Sequence, residues 1–179
     1  MSTPVVTVTI DTPDDMSALG AALAEQLVAG DLVALNGELG AGKTTLTRGL
    51  GERLGVRGAV TSPTFVLART HPRTDGGAPL VHVDAYRLSS AVELDDLDID
   101  FERSIVVVEW GAGLLDGITD SWLSLDIVRP TGGSVADGGS DTAIDPDSFL
   151  DEPDEPRTVT VTGHGPRWKE LGWVGAARN

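Results

Sequence analysis

The chain has 179 residues, enough for one unit whose core needs no covalent staples. It contains no cysteine, which excludes disulfides and thiolate-bound zinc, and its three histidines (His71, His82, His164) show no metal-ligand spacing. Thirteen Lys and Arg against 28 Asp and Glu give a net charge of −15, a poor balance for gripping a polyanion directly, so any nucleic acid is expected to be held by a partner. The same acidity also serves solubility or a saline habitat.

The N-terminus lacks a basic stretch followed by an apolar core, and no apolar run approaches the roughly 18 residues of a membrane span; a cytoplasmic protein without membrane contact is expected. Residues 4–10 read as a β-rich strand. Met16, Leu19, Leu23 and Leu27 recur at helical spacing, which predicts an amphipathic helix over about 14–29, closed by Gly30 and Asp31. The apolar run 31–35 predicts a buried strand.

Next comes Gly37-Glu38-Leu39-Gly40-Ala41-Gly42-Lys43-Thr44, followed by Thr45 and a helix with Leu46, Leu50 and Leu54 on one face. This fits G-x-x-x-x-G-K-[ST] between a strand and a helix, the setting in which the motif binds nucleotide phosphates. The glycines let successive N–H groups turn toward one anion, and the helix N-terminus adds partial positive charge. Lys43 is expected at the β- and γ-phosphates and the Thr44 hydroxyl at Mg²⁺.

Beyond a break at 55–58, residues 60–69 read as a hydroxyl-rich turn leading into a strand. Thr61, Ser62, Pro63 and Thr64 suit a switch loop sensing the γ-phosphate, and equally an ordinary turn capped by Ser62 and stiffened by Pro63. The Gly- and Pro-rich stretch 71–79 predicts a hairpin loop. Residues 80–88 hold a strand expected to end in or near Asp84, which places that acid where it acts on Mg²⁺ or on water, with His82 on the same face; packing is the simpler role for His82, and a surface ion pair for Arg87. Six acids within residues 93–102 lack the central Gly and terminal Glu of a calcium loop, leaving a solvated helix and turn or an acidic docking face.

Residues 105–108 form an apolar strand that ends in Glu109, the pattern in which a carboxylate reaches the Mg²⁺ shell. Trp110 either covers the phosphate site or packs at the sheet edge. Residues 123–128 and 157–161 predict an antiparallel pair. Between them, residues 131–156 hold eight acids and no Lys or Arg, too polar to pack, and are expected to be a disordered acidic insertion. The tail is expected to pack through Trp168.

Four segments now stand in order: the phosphate loop through Thr45 with Arg48 downstream, Thr61-Ser62-Pro63-Thr64-Phe65, His82-Val83-Asp84-Ala85-Tyr86-Arg87-Leu88, and Val108-Glu109-Trp110. Together they resemble the TsaE family of bacterial tRNA threonylcarbamoyladenosine biosynthesis, over roughly residues 5–128 and again in the final strand. The length suggests that a single domain spans 1–179, and the resemblance implies an α/β, P-loop NTPase-type three-layer fold with a central mixed β-sheet. It implies ATP and Mg²⁺, with Lys43 on phosphate, Thr44 and Glu109 on the metal, Asp84 needed for hydrolysis, Trp110 near the site and a nucleotide contact from Arg157. It also implies TsaD and TsaB as partners that carry out threonylcarbamoyl transfer to position 37 of tRNAs reading ANN codons, so that tRNA is met only indirectly.

The resulting expectation is an ATPase that is weak alone and partner-dependent, since no arginine finger is evident in cis; Arg48 and Arg87 are the candidates. Two other readings stand beside it. A small-molecule kinase shares the phosphate loop, but the only long insertion carries no Arg for a lid. A non-catalytic nucleotide-gated binding module would use ATP only to order a surface such as 93–102.

Overall fold

The computed structural model describes residues 3–63, 66–130 and 155–176. Seven strands form one mixed sheet in the order β1-β7-β6-β2-β5-β4-β3. β1 is Val5–Ile10, β2 Leu32–Gly37, β3 Ala68–His71, β4 Leu80–Asp84, β5 Ile105–Glu109, β6 Trp122–Val128 and β7 Arg157–His164. β4, β5, β2 and β6 run parallel, while β3 and β7 are antiparallel to β4 and β6, and β1 is antiparallel to β7. The four parallel strands therefore end at one edge, where Gly37, Asp84 and Glu109 emerge together. β2 and β5 are buried almost throughout, which is why they read as continuous apolar runs rather than alternating ones.

One face of the sheet is covered by α1 (Pro13–Ala24), α2 (Lys43–Leu54) and the C-terminal segment. Leu19, Leu23, Leu46 and Leu50 pack there on Val33, Leu35, Ile105 and Val107, with Trp168 and Val174 closing the layer. The other face holds Leu94, Leu114 and Leu115 against Leu32, Ala34, Val106 and Val108; Leu94 belongs to the short helix α3 (Ala91–Asp95). A 3₁₀ turn (Pro166–Trp168) and a short α4 (Trp173–Ala176) end the described chain.

Two expectations are revised. The first helix stops at Ala24, five residues short of the expected end. Gln26 and Leu27 then donate to the carbonyls of Leu23 and Ala24 in tight turns, and the Asp31 carboxylate takes the Val28 amide. Leu27 remains buried outside the helix, so its spacing marked the core rather than the helix. Among the described residues of 60–69, the strand expected after the turn begins only at Ala68. Pro63 offers no amide to a ladder, and Leu67 adopts a φ of 64°, which breaks an extended run. The expected antiparallel pair is present as β6 and β7. The acidic stretch expected to be disordered, 131–156, lies outside the described residues except for its last two.

Candidate functional site

The site is built at the edge where the parallel strands end. β2 runs out at Gly37, the chain curls through residues 38–42, and α2 begins at Lys43. Gly42 caps this helix with a φ of 114° and, lacking a side chain, offers its first amides no side-chain cap. A Cβ at Gly42 would lie 3.2 Å from both the Arg157 Nη1 and the Met16 Cε. A Cβ at Gly37 would lie 2.8 Å from the Ile127 carbonyl. Both positions therefore need glycine, and the loop they shape leaves a helix N-terminus open to an anion.

Lys43 is only 6% exposed. Its Nζ donates to the carbonyls of Gly37 (2.8 Å) and Glu38 (3.0 Å) and sits 4.2 Å from the centre of the Trp110 ring. Burial pushes its pKa below the ordinary value, and the nearby carboxylates of Glu109 and Asp84 push the other way. The ammonium is thus held by oxygen dipoles and an aromatic face.

Asp84 and Glu109 are register partners on adjacent parallel strands, so the two carboxylates stand side by side on the α2 face. The Thr44 hydroxyl donates to Glu109 Oε1 at 3.3 Å. His82, fully buried, brings Nε2 to 3.1 Å from the same oxygen. Asp84 Oδ1 accepts the Tyr86 amide, and the Asp84 amide donates to the Leu67 carbonyl at 2.7 Å. That last bond brings the segment after Pro63 against Asp84, since the amides of Val66 and Leu67 both bond the Pro63 carbonyl. Thr61 and Ser62 are exposed beside it, whereas Thr64 lies outside the described residues.

Trp110 follows Glu109 with a φ of 62°, a conformation uncommon for a bulky side chain. Its amide bonds the Leu35 carbonyl, and Tyr86, 71% exposed, meets its ring edge-on at 5.3 Å. Trp110 thus stands beside the Lys43 ammonium rather than away from the loop. The loop is also gripped from β7: Arg157 Nη1 donates to the Gly40 carbonyl at 2.8 Å. Arg129, which the sequence reading missed, lies next to it; a Cβ at Gly40 would be 3.4 Å from its Nη1. A lone Arg after a strand in an acidic chain was the available signal. Leu39 at the loop tip is 89% exposed, while Arg48 and Arg87 lie on exposed positions.

Strand, glycine loop and helix at the carboxyl edge of a parallel sheet, faced by an acid from the neighbouring strand, define an α/β protein of the phosphate-loop NTPase fold. A family model described as "Threonylcarbamoyl adenosine biosynthesis protein TsaE" matches residues 10–133. The chain is 57% identical over 156 residues to the tRNA threonylcarbamoyladenosine biosynthesis protein TsaE of Streptomyces coelicolor, covering 86% of this chain and 93% of that one. The protein of the same name from Mycobacterium tuberculosis H37Rv is 49% identical over 132 residues, covering 69% and 79%. The crystal structure of YdiB from Bacillus subtilis superposes with a TM-score of 0.67 at 26% identity, covering 100% of this chain and 99% of that one. The chain belongs to the TsaE family, and its place is in tRNA threonylcarbamoyladenosine biosynthesis.

No helix among the described residues is long and apolar enough to cross a membrane.

Proposed function

We propose that the chain is a Mg²⁺-dependent ATPase, slow by itself, that works with TsaD and TsaB in forming threonylcarbamoyladenosine at position 37 of tRNAs reading ANN codons. The observation that carries this reading is the convergence of Lys43, Thr44 and Glu109 at a glycine loop whose helix amides have no side-chain cap.

The residues fit both groups. At Gly37 and Gly42 a Cβ would press on Ile127 and on Met16 and Arg157, so these glycines let the loop curl and turn its amides toward one anion. The donors near Thr44 are a hydroxyl and carboxylates, hard oxygens that suit Mg²⁺. Among the described residues, no group of three or more acidic or histidine side chains is placed to hold a metal ion by itself. Mg²⁺ beside a nucleotide needs only one or two protein oxygens plus phosphate and water, a demand Thr44 and Glu109 can meet.

Bound Mg²⁺ supplies charge neutralisation to the phosphates during transfer. The chain does the rest. Lys43 turns its ammonium from the loop carbonyls toward the β- and γ-phosphates, and the loop residues 37–45, Arg157 included at their flank, hold the nucleotide. Thr44 and Glu109 present oxygens to the cation. Asp84, beside Glu109, orients the attacking water or the cation's hydration shell. Trp110 limits water over the phosphates. Thr61, Ser62, Pro63 and Thr64 form the segment that responds to the γ-phosphate, linked to Asp84 through Leu67.

The test is ATP hydrolysis by the pure chain, alone and with the TsaB–TsaD pair, with Lys43→Ala as control. Activity is expected to be low alone, to rise with the partners, and to vanish in the variant. Loss of the lysine should also weaken ATP binding by about tenfold or more, the worth of a charged hydrogen bond. Turnover indifferent to the partners would remove TsaD and TsaB from this reading.

A further inference from the structure

We infer that His82 is a positioning residue for Glu109, holding Oε1 from behind so that the carboxylate meets a divalent cation with Oε2. The inference rests on the proposal that Glu109 serves Mg²⁺.

His82 sits in β4, where neighbouring positions are Val81 and Val83, and is completely buried. Its register partner is Val107, two residues before Glu109, and the alternation of the strands puts His82, Asp84 and Glu109 on one face. A residue chosen only to fill this place would be apolar and β-branched, as its neighbours are. An imidazole there carries two polar nitrogens into the core, and neither makes an aligned hydrogen bond in this state. Such a pair of buried, unsatisfied nitrogens is costly to keep. Nε2 nevertheless lies 3.1 Å from Glu109 Oε1, so a small turn of the ring or carboxylate completes a bond.

The same oxygen is at present engaged by Thr44, over a long 3.3 Å. A cation at the Thr44 hydroxyl would take a lone pair of the hydroxyl oxygen and leave its O–H free to donate. The hydroxyl can go on donating to Glu109, and His82 is the other side-chain donor already within reach of Oε1. Holding one carboxylate oxygen fixed leaves one orientation for the other and removes the freedom Glu109 would otherwise lose on binding the cation. Outer partners of this kind change metal affinity by about 10- to 100-fold.

The experiment compares ATP binding by calorimetry with Mg²⁺ and with EDTA, using the full chain as wild type, His82→Leu and His82→Gln. The ratio of the two dissociation constants reports the cation's contribution. In His82→Leu that ratio is expected to fall about tenfold or more, with the EDTA value unchanged. In His82→Gln, whose amide can still donate, most of it should be retained. In a Glu109→Gln background, His82→Leu should cause no further loss. Equal weakening with and without Mg²⁺ would mark His82 as packing alone and overturn the assignment, as would an unchanged ratio in His82→Leu. If the leucine variant does not fold, His82→Met, which also lacks a donor, gives the same comparison with His82→Gln. A wild-type chain whose ATP affinity ignores Mg²⁺ would overturn the proposed function itself, and this role with it.

Discussion

His71 ends β3 opposite Leu80, buried, with Nε2 lacking a partner. Burial is the largest influence holding its pKa below the ordinary 6.5, with His82 and Arg69 adding to it. The folded chain therefore takes up this proton later than the unfolded chain as pH falls. The stability it contributes is complete above 6.5 and is lost as pH drops from there toward the lowered folded value. Thermal unfolding followed from about pH 7.5 to about pH 5 should show wild type losing midpoint temperature relative to His71→Phe; parallel curves would show that His71 titrates alike in both states. At this scale the sequence spoke clearly where chemistry is fixed by local spacing. Gly37, Gly42, Lys43 and Thr44 stand where the loop pattern needs them, and Glu109 where a strand ends. It spoke poorly where the partner comes from another strand. The Trp110 ring over Lys43 depends on β5 lying beside β2, and the Arg129 guanidinium near Gly40 depends on β6 lying on the other side. His82, read as packing, gained its neighbour Glu109 only once β4 and β5 were paired.

The elements that hold the phosphate loop are α1 and α2, and they touch backbone to backbone. A Cβ on Gly49 would lie 2.1 Å from the Ser17 carbonyl, and one on Gly20 would lie 2.0 Å from that of Leu46. These contacts let Met16 slide beneath Gly42, so α1 supports the loop from below. Replacing a helical glycine by alanine ordinarily gains about 1 kcal/mol. Here the added methyl has nowhere to go, and overpacking costs about 1–3 kcal/mol or more. Gly49→Ala and Gly20→Ala should each lower the urea midpoint without changing the slope, whereas Gly175→Ala, which meets open space, should not lower it. Midpoints at or above wild type for the two buried sites would mean the helices separate freely. The close approach was invisible in sequence, because a glycine within a helical pattern signals weakness until the opposing helix is known. The end of α1 was misplaced for a related reason: Leu27 faces the same core from a turn, and periodicity records the face, not the backbone.

At the scale of the whole molecule, charge decides how the chain can meet RNA. The phosphate loop gathers Lys43, Arg129 and Arg157, yet the chain carries 28 acids against 13 basic residues. A local positive cradle suits a nucleotide's few charges, whereas a polyanion tens of ångströms long meets the net field of −15. Each phosphate gripped by a Lys or Arg would add about 0.7–0.9 to the slope of log affinity against log salt. Fluorescence titrations of tRNA should therefore find no binding to the chain alone at about 50 mM salt, where electrostatic attraction is least screened. With the TsaB–TsaD pair, adding the chain should leave that slope unchanged to within about one phosphate contact. A slope steepened by several contacts would place tRNA phosphates directly on this chain, and its acidity would then have to be confined to the face turned away. An unchanged slope would leave the RNA phosphates to the proposed partners and confine this chain's positive charge to the nucleotide.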